Sequence, residues 1–332
     1  MATTEFSFRR AAQAALALPL AACATPITPP PVQAQQVDAL RALQASDLRV
    51  AAVAYRLASA GNAICPRKAA LLGVSLHEPA QYAPELREAA RTALGLADRV
   101  TVLAVAPGSP ADRAGLQAGD GLVTIGGQAV AVTVPGRKGV FDGVAAAYRA
   151  LVDTAARGSV SLQAERQGRV LPFTLTAVSG CVSQVQLVPA SRIEAKADGA
   201  NLTITAGLLA YVVSDDELAL VLAHEMAHNA LGHRAQKEAQ GIRRGLFGSY
   251  GANAAKVREA EREADYLAYF LMARAGYDPA AAEGFWRRLY DGPAGGHSKV
   301  TTHPDLQTRL EDARRAESIV ESARLSGKLP TP

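Results

Sequence analysis

"SDDELALVLAHEMAHNALGH", residues 214–233, is the stretch from which the rest of the chain is read. Ser214 and Glu217 form an S-x-x-E capping box, and Asp215 and Asp216 suit the positive end of a helix that begins there. The "LALVLA" that follows is apolar on every side, which predicts a helix buried all round. That helix carries His224, Glu225 and His228 into the interior. Residues at i and i+4 share a helix face, so His224 and His228 can grip one ion, with Glu225 one step around from it. Buried imidazoles and a buried carboxylate are unfavourable unless paired, and a divalent metal satisfies all of them at once.

A catalytic zinc commonly takes three protein ligands and leaves a fourth position open. The extended HExxHxxGxxH spacing is not met, because Gly232 and His233 fall at other steps. A third ligand is therefore sought downstream, in "REAEREADYLAYFLMARAG" (258–276), which predicts a second helix ending at Gly276 with Pro279 beyond it. Glu261 and Asp265 stand at i and i+4 on one face, so one can bind metal while the other supports a ligand histidine. Glu259 and Glu263 point elsewhere and read as solvated. The glycine-rich "AQGIRRGLFGSYGAN" between the two helices reads as a loop.

Upstream, the character changes. "VTVLAVAPGSPADRAGLQAGDGLVTIGGQAV" (100–130) predicts a strand, a turn at "PGSP", a short helix in "ADRAGL", and two short strands around Gly126-Gly127. This segment resembles a PDZ domain of the bacterial periplasmic protease type, and "LLGVSL" (71–76) resembles the loop and strand that hold a peptide's C-terminal carboxylate. The resemblance covers about 68–178 and implies capture of an extended chain end along a sheet edge, the alternative being a rigid insert with a closed groove. After it, "VSQVQLVP" and "ANLTITAGLLAYVV" show period-two alternation and read as strands of a small sheet.

The chain has 332 residues, is 49% hydrophobic and carries a formal charge of +4, enough for about two globular domains. No Lys/Arg block tracks a phosphate backbone, which argues against nucleic acid. Arg9 and Arg10 precede an apolar run too short to span a bilayer, and "LAAC" ending at Cys23 resembles a bacterial lipobox. The implied placement is a lipid on Cys23 at the periplasmic face of the outer membrane. "ATPITPPPVQAQQ" (24–36) reads as a semi-rigid tether, followed from Val37 to about Ala60 by an amphipathic helix. Setting Cys23 aside leaves Cys65 and Cys181, an even pair that brackets the PDZ-like segment and is expected to be bonded in such a compartment.

HExxH, then ExxAD within "EREAD", then "HPDLQTR" together resemble the gluzincin metallopeptidase family of the CAAX prenyl proteases, peptidase family M48, over 181 to about 320. The resemblance implies Zn2+ held by His224, His228 and Glu261, Glu225 as general base, and Asp265 behind a ligand histidine. It implies for His303 a role as transition-state stabiliser or as a gate, and it implies that "ANLTITAGLL" is the edge strand along which substrate lies. The hydrophobic spans of the membrane-embedded members are missing, so prenylated peptides are not the expected substrate.

The expected architecture is α+β. A mainly helical zincin-like metallopeptidase domain with a small β-sheet is interrupted by a PDZ-like insert: signal peptide 1–22, tether 23–36, helix of the body 37–67, PDZ-like domain 68–178 and metallopeptidase domain 179–325. The expected function is a lipid-anchored zinc endopeptidase acting on unfolded or misassembled envelope proteins. The rivals are a chaperone or assembly factor with a latent, self-plugged zinc site, and a pure peptide-binding adaptor.

Overall fold

Leu218–Ala223, the apolar run read above, lies within a hydrophobic core, with no residue of it more than 8% exposed. The structure is a computed structural model that describes residues 31–131, 141–182, 184–242, 251–292 and 303–332. The signal-peptide and lipobox readings, Cys23 among them, lie outside the described residues, as does most of the glycine-rich segment between the two site helices.

The chain opens with α1 (Val32–Ala60). Five residues assigned to the tether, Val32–Gln36, are helical. Proline ends at Pro31, whose fixed φ suits the residue ahead of a helix, and the Gln and Ala that follow are good helix formers. Next come β1 (Lys68–Leu71), β2 (Val74–His77), α2 (Arg87–Leu94), β3 (Thr101–Val105), α3 (Pro110–Arg113), β4 (Gly121–Ile125), β5 (Gln128–Ala129), α4 (Asp142–Ala155), β6 (Ser159–Arg166), β7 (Arg169–Thr176) and β8 (Val178–Cys181). β2, β3, β4, β6 and β7 form one antiparallel sheet in that order, and β5 pairs with β4 across the Gly126-Gly127 turn, where both glycines have positive φ. The sheet encloses its own core, including Val102, Leu122, Val160 and Leu175.

β1 and β8 pair antiparallel as a separate two-stranded stem at the root of this unit. At its base Cys65 and Cys181 are disulfide-bonded, with Cα atoms 5.4 Å apart and a sequence separation of 116. Both cysteines belong to the core of the second unit, so the bond pins the two ends of the insert to the body beneath.

That body continues with β9 (Gln184–Val188), β10 (Ala195–Ala197), β11 (Asn201–Thr205), α5 (Ala206–Tyr211), α6 (Asp215–Leu231), α7 (His233–Ala239), α8 (Gly251–Arg274), α9 (Ala281–Asp291) and α10 (Leu306–Leu325). The three strands order as β10-β11-β9, β11 being parallel to β9 and antiparallel to β10. Two sequence expectations fail here. β11 is the central strand, and the edges belong to β10 and β9. The strand predicted through Val213 stops at Thr205, because the Thr205 hydroxyl accepts the Leu208 N–H and caps α5 instead. α6 packs along α8, α10 lies on α8 and α9, and α1 runs beneath both units against α6, α8, α2 and β3.

Candidate metal centre

Ser214 caps α6 through its hydroxyl, which accepts the Glu217 N–H at 3.2 Å. The reciprocal half of the predicted capping box is shifted by one residue: the Glu217 carboxylate accepts the Val213 N–H at 2.9 Å and pairs with Arg288. Three turns on, α6 brings His224 and His228 to the face that meets α8, and α8 supplies Glu261. The His224 and His228 Nε2 atoms are 3.1 Å apart, and they stand 3.4 and 3.6 Å from the Glu261 carboxylate oxygens. Ligands about 2.0–2.1 Å from a tetrahedral zinc stand about 3.3–3.4 Å from one another, so this donor set fits that ion without rearrangement. It is the group of metal-capable side chains found among the described residues.

Burial resists charge on His224, but the Asp265 and Glu261 carboxylates outweigh it and raise this imidazole to about 10. Burial would likewise raise Glu261, yet hydrogen bonds from His224, His228 and His303 hold it well below the usual carboxylate range. His224 and Glu261 thus form a mutually neutralising pair that a divalent cation can replace.

Behind the donors stand two supports. His224 Nδ1 meets Asp265 Oδ1 at 2.8 Å, and Arg309 from α10 donates to the same oxygen at 3.3 Å while stacking on Trp286 at 3.9 Å. His228 Nδ1 lies 2.8 Å from His233 Nδ1, and His233 Nε2 lies 3.1 Å from Glu263. His233 is buried at 1% exposure, because Gly232, with φ 73°, ends α6 in the left-handed conformation and turns α7 back beneath it. The sequence reading of Glu263 as merely solvated misses this contact, since Glu263 reaches across from a helix whose register against α7 is set only on packing. Glu259 is exposed as expected.

Glu225 is half-buried beside the donors, and burial pushes its carboxyl above the usual range, opposed in part by His224, His303 and the Ala197 backbone. His303 enters from the segment before α10, which Tyr290 fixes by donating to the Pro304 carbonyl at 2.6 Å. Its Nδ1 is 3.1 Å from Glu261. The predicted residues His224, Glu225, His228, Glu261, Asp265 and His303 therefore converge on one place.

Of these, His224, Glu225 and His303 line a cleft of about 170 Å³, walled by Leu208, Val221, Phe285, Trp286, Leu289 and Tyr290 and bounded on one side by Ile193–Ala195. The four wall residues on α9, Phe285, Trp286, Leu289 and Tyr290, were not singled out from the sequence, because they carry no motif. In the other unit, β2 is an edge strand, and its Leu76 amide donates to the Tyr148 hydroxyl of α4 at 2.9 Å. Among the described residues, no helix is long and apolar enough to cross a membrane.

Comparison with known proteins divides along the same lines. Residues 183–255 and 242–317 match the model of Peptidase family M48, and residues 101–166 match a PDZ domain model. A protein named mitochondrial metalloendopeptidase OMA1 from Schizosaccharomyces pombe is 31% identical over 134 residues, 34% of this chain and 40% of that protein. One named beta-barrel assembly-enhancing protease from Yersinia pestis is 29% identical over 147 residues, 35% of this chain and 30% of that protein. The chain thus spans less than half the length of these relatives. A solved HtrA3 PDZ domain bound to a phage-derived ligand aligns at 19% identity and a TM-score of 0.26, over 34% of this chain and 89% of that one.

Proposed function

With a peptidase family M48 domain and a PDZ domain in one chain, we propose that this protein is a zinc-dependent endopeptidase that cuts extended or unfolded polypeptides. The observation that carries the reading is the convergence of His224, His228 and Glu261 at zinc-ligand spacing, beside a carboxyl raised by burial and at the mouth of an apolar cleft. These three side chains would hold the ion, which when bound supplies a Lewis acid that brings the pKa of water toward about 7 and polarises a carbonyl. Glu225 accepts the proton of the attacking water on its carboxylate and returns it to the leaving amine nitrogen. A carboxyl already raised from its usual range is suited to both steps, since a base works best with its pKa near the working pH. Asp265, locked by Arg309, holds the His224 ring in one orientation. An extended substrate adds to the free edge at β10, which lies against the cleft, and places a side chain among Phe285, Trp286 and Leu289.

The PDZ unit would collect chain ends along the β2 edge, provided that Tyr148 gives up the Leu76 amide. The lipobox at Cys23 and the disulfide support an envelope location with the body on a lipid tether. Unfolded or misassembled envelope proteins are the corresponding substrates, consistent with the name of the Yersinia pestis relative.

A second reading has one observation in its favour. His303 Nδ1 already sits 3.1 Å from Glu261, so His303 can plug the site and leave a chaperone or assembly factor whose peptidase is latent. Zinc content and casein cleavage measured on the wild-type chain, Glu225→Gln and His303→Ala separate the readings. For an active peptidase, Glu225→Gln retains zinc and loses cleavage by about 10²-fold or more. A rise in cleavage on His303→Ala marks the plugged form. Cleavage that persists after chelation overturns the proposal.

A further inference from the structure

The two histidines of the HExxH motif are supported in different ways. His224 rests on the buried Asp265–Arg309 ion pair, with exposures of 1% and 4%. His228 rests on another imidazole, and that imidazole rests on a carboxylate at the surface, its side chain 52% exposed.

Proton placement along this second line has one self-consistent solution. His228 Nε2 faces His224 Nε2 and the Glu261 carboxylate, so it is the nitrogen that would carry a lone pair toward an ion. A neutral imidazole has one N–H, which must then be at Nδ1. The His228 Nδ1–H donates to His233 Nδ1 across 2.8 Å, which makes that nitrogen an acceptor. His233 in turn carries its own N–H at Nε2, where it donates to Glu263 across 3.1 Å. Each donor on the line finds an acceptor; reversing His233 leaves an N–H facing an N–H and a lone pair facing a carboxylate, and reversing His228 leaves two Nδ1 lone pairs facing each other and turns an N–H toward the ion.

We propose that His233 and Glu263 are positioning residues: together they fix the tautomer and ring orientation of His228 and so set how tightly the site holds zinc. The inference rests on the metal reading above but assigns residues outside the ligand set. Its physical basis is general, because a ligand imidazole whose distal N–H is held by an acceptor is presented in one orientation and is more basic toward the ion. The arrangement also links the interior site to the surface through a single exposed carboxylate on α8.

The test compares zinc affinity, by competition with a chromophoric chelator, for the wild-type chain, His233→Leu, His233→Gln and Glu263→Ala. His233→Leu removes the acceptor and is expected to weaken zinc on the order of 10- to 100-fold. His233→Gln, whose carbonyl can accept the same N–H, is expected to recover most of that loss. Glu263→Ala acts on an exposed position, so it is expected to leave the zinc-free melting temperature unchanged while weakening zinc by a smaller factor. A second readout needs no turnover: long-range proton–nitrogen NMR of zinc-loaded protein is expected to show neutral His233 protonated at Nε2 and His228 protonated at Nδ1. A wild-type chain that takes up no zinc defeats the metal reading and this inference together. A wild-type chain that binds zinc while His233→Leu and Glu263→Ala match it within about twofold, or a His233 protonated at Nδ1, overturns this inference alone.

Discussion

Arg309 donates to Asp265 across 3.3 Å in a part of the molecule where neither side chain is more than 4% exposed. Helix α10 thereby reaches the His224 ring through one intermediary carboxylate, although residues 224 and 309 share no motif spacing. Removing one member of such a pair leaves a buried charge without its partner, which costs about 3–5 kcal/mol. Arg309→Leu is accordingly expected to lower the zinc-free unfolding free energy by about 3 kcal/mol or more, read from urea denaturation. A change confined to zinc affinity, with unchanged denaturation, would show that the pair serves only the metal.

Asp47 lies on α1 close to Tyr82 and Tyr148, and burial raises its carboxyl to about 7. A raised carboxyl folds more readily protonated, so its contribution is present below the ordinary value near 3.8 and is lost as pH rises through about 7. The expected outcome is a zinc-free melting temperature that falls between pH 5 and pH 8. Asp47→Asn is expected to flatten that fall and to melt higher than wild type at the upper pH. Parallel curves for the two proteins would exclude Asp47 as the source.

Tyr148 occupies the Leu76 amide, the backbone donor on the β2 edge that an incoming strand would need. Tyr148→Phe frees that donor without changing the shape of the α4 face. Peptides with a free C-terminal carboxylate are expected to bind the variant more tightly than the wild-type chain, measured by fluorescence polarisation. Equal binding by both would mean that the edge is open without displacing this hydroxyl.

The Cys65–Cys181 bond closes a loop across a sequence separation of 116. In the chain-entropy model such a closure stabilises by about 4–5 kcal/mol, which engineered bonds often fall short of. The double variant Cys65→Ala, Cys181→Ala is expected to melt well below the wild-type chain, and reductant is expected to lower the wild-type midpoint toward it. Indifference to reductant would assign the stability of the stem to β1–β8 pairing alone.

The two histidines of the donor trio were legible in the sequence because helix geometry is local, whereas Glu261 was told apart from Asp265 only by the resemblance to the metallopeptidase family. His224 and His228 share a face at any temperature or packing, Glu261 and Asp265 share another, and the all-apolar Leu218–Ala223 run dictates that the first face is buried. The disulfide was legible because only two cysteines remain once Cys23 is set aside. Patterns of this kind act within one or two turns of helix, or through a count, and need no knowledge of what packs against them.

What tertiary structure alone decided was every pairing between elements with no fixed spacing: β10 rather than β11 at the sheet edge, Glu263 beneath His233, Tyr148 on the Leu76 amide, and the aromatic wall beside Glu225. Alternation marks a strand but carries no information on which neighbour it bonds, because the backbone donors that choose an edge are the same in every residue. Likewise an exposed carboxylate on a helix looks alike in sequence whether it meets water or a histidine, since the difference lies in how two helices rotate against each other when their apolar faces close.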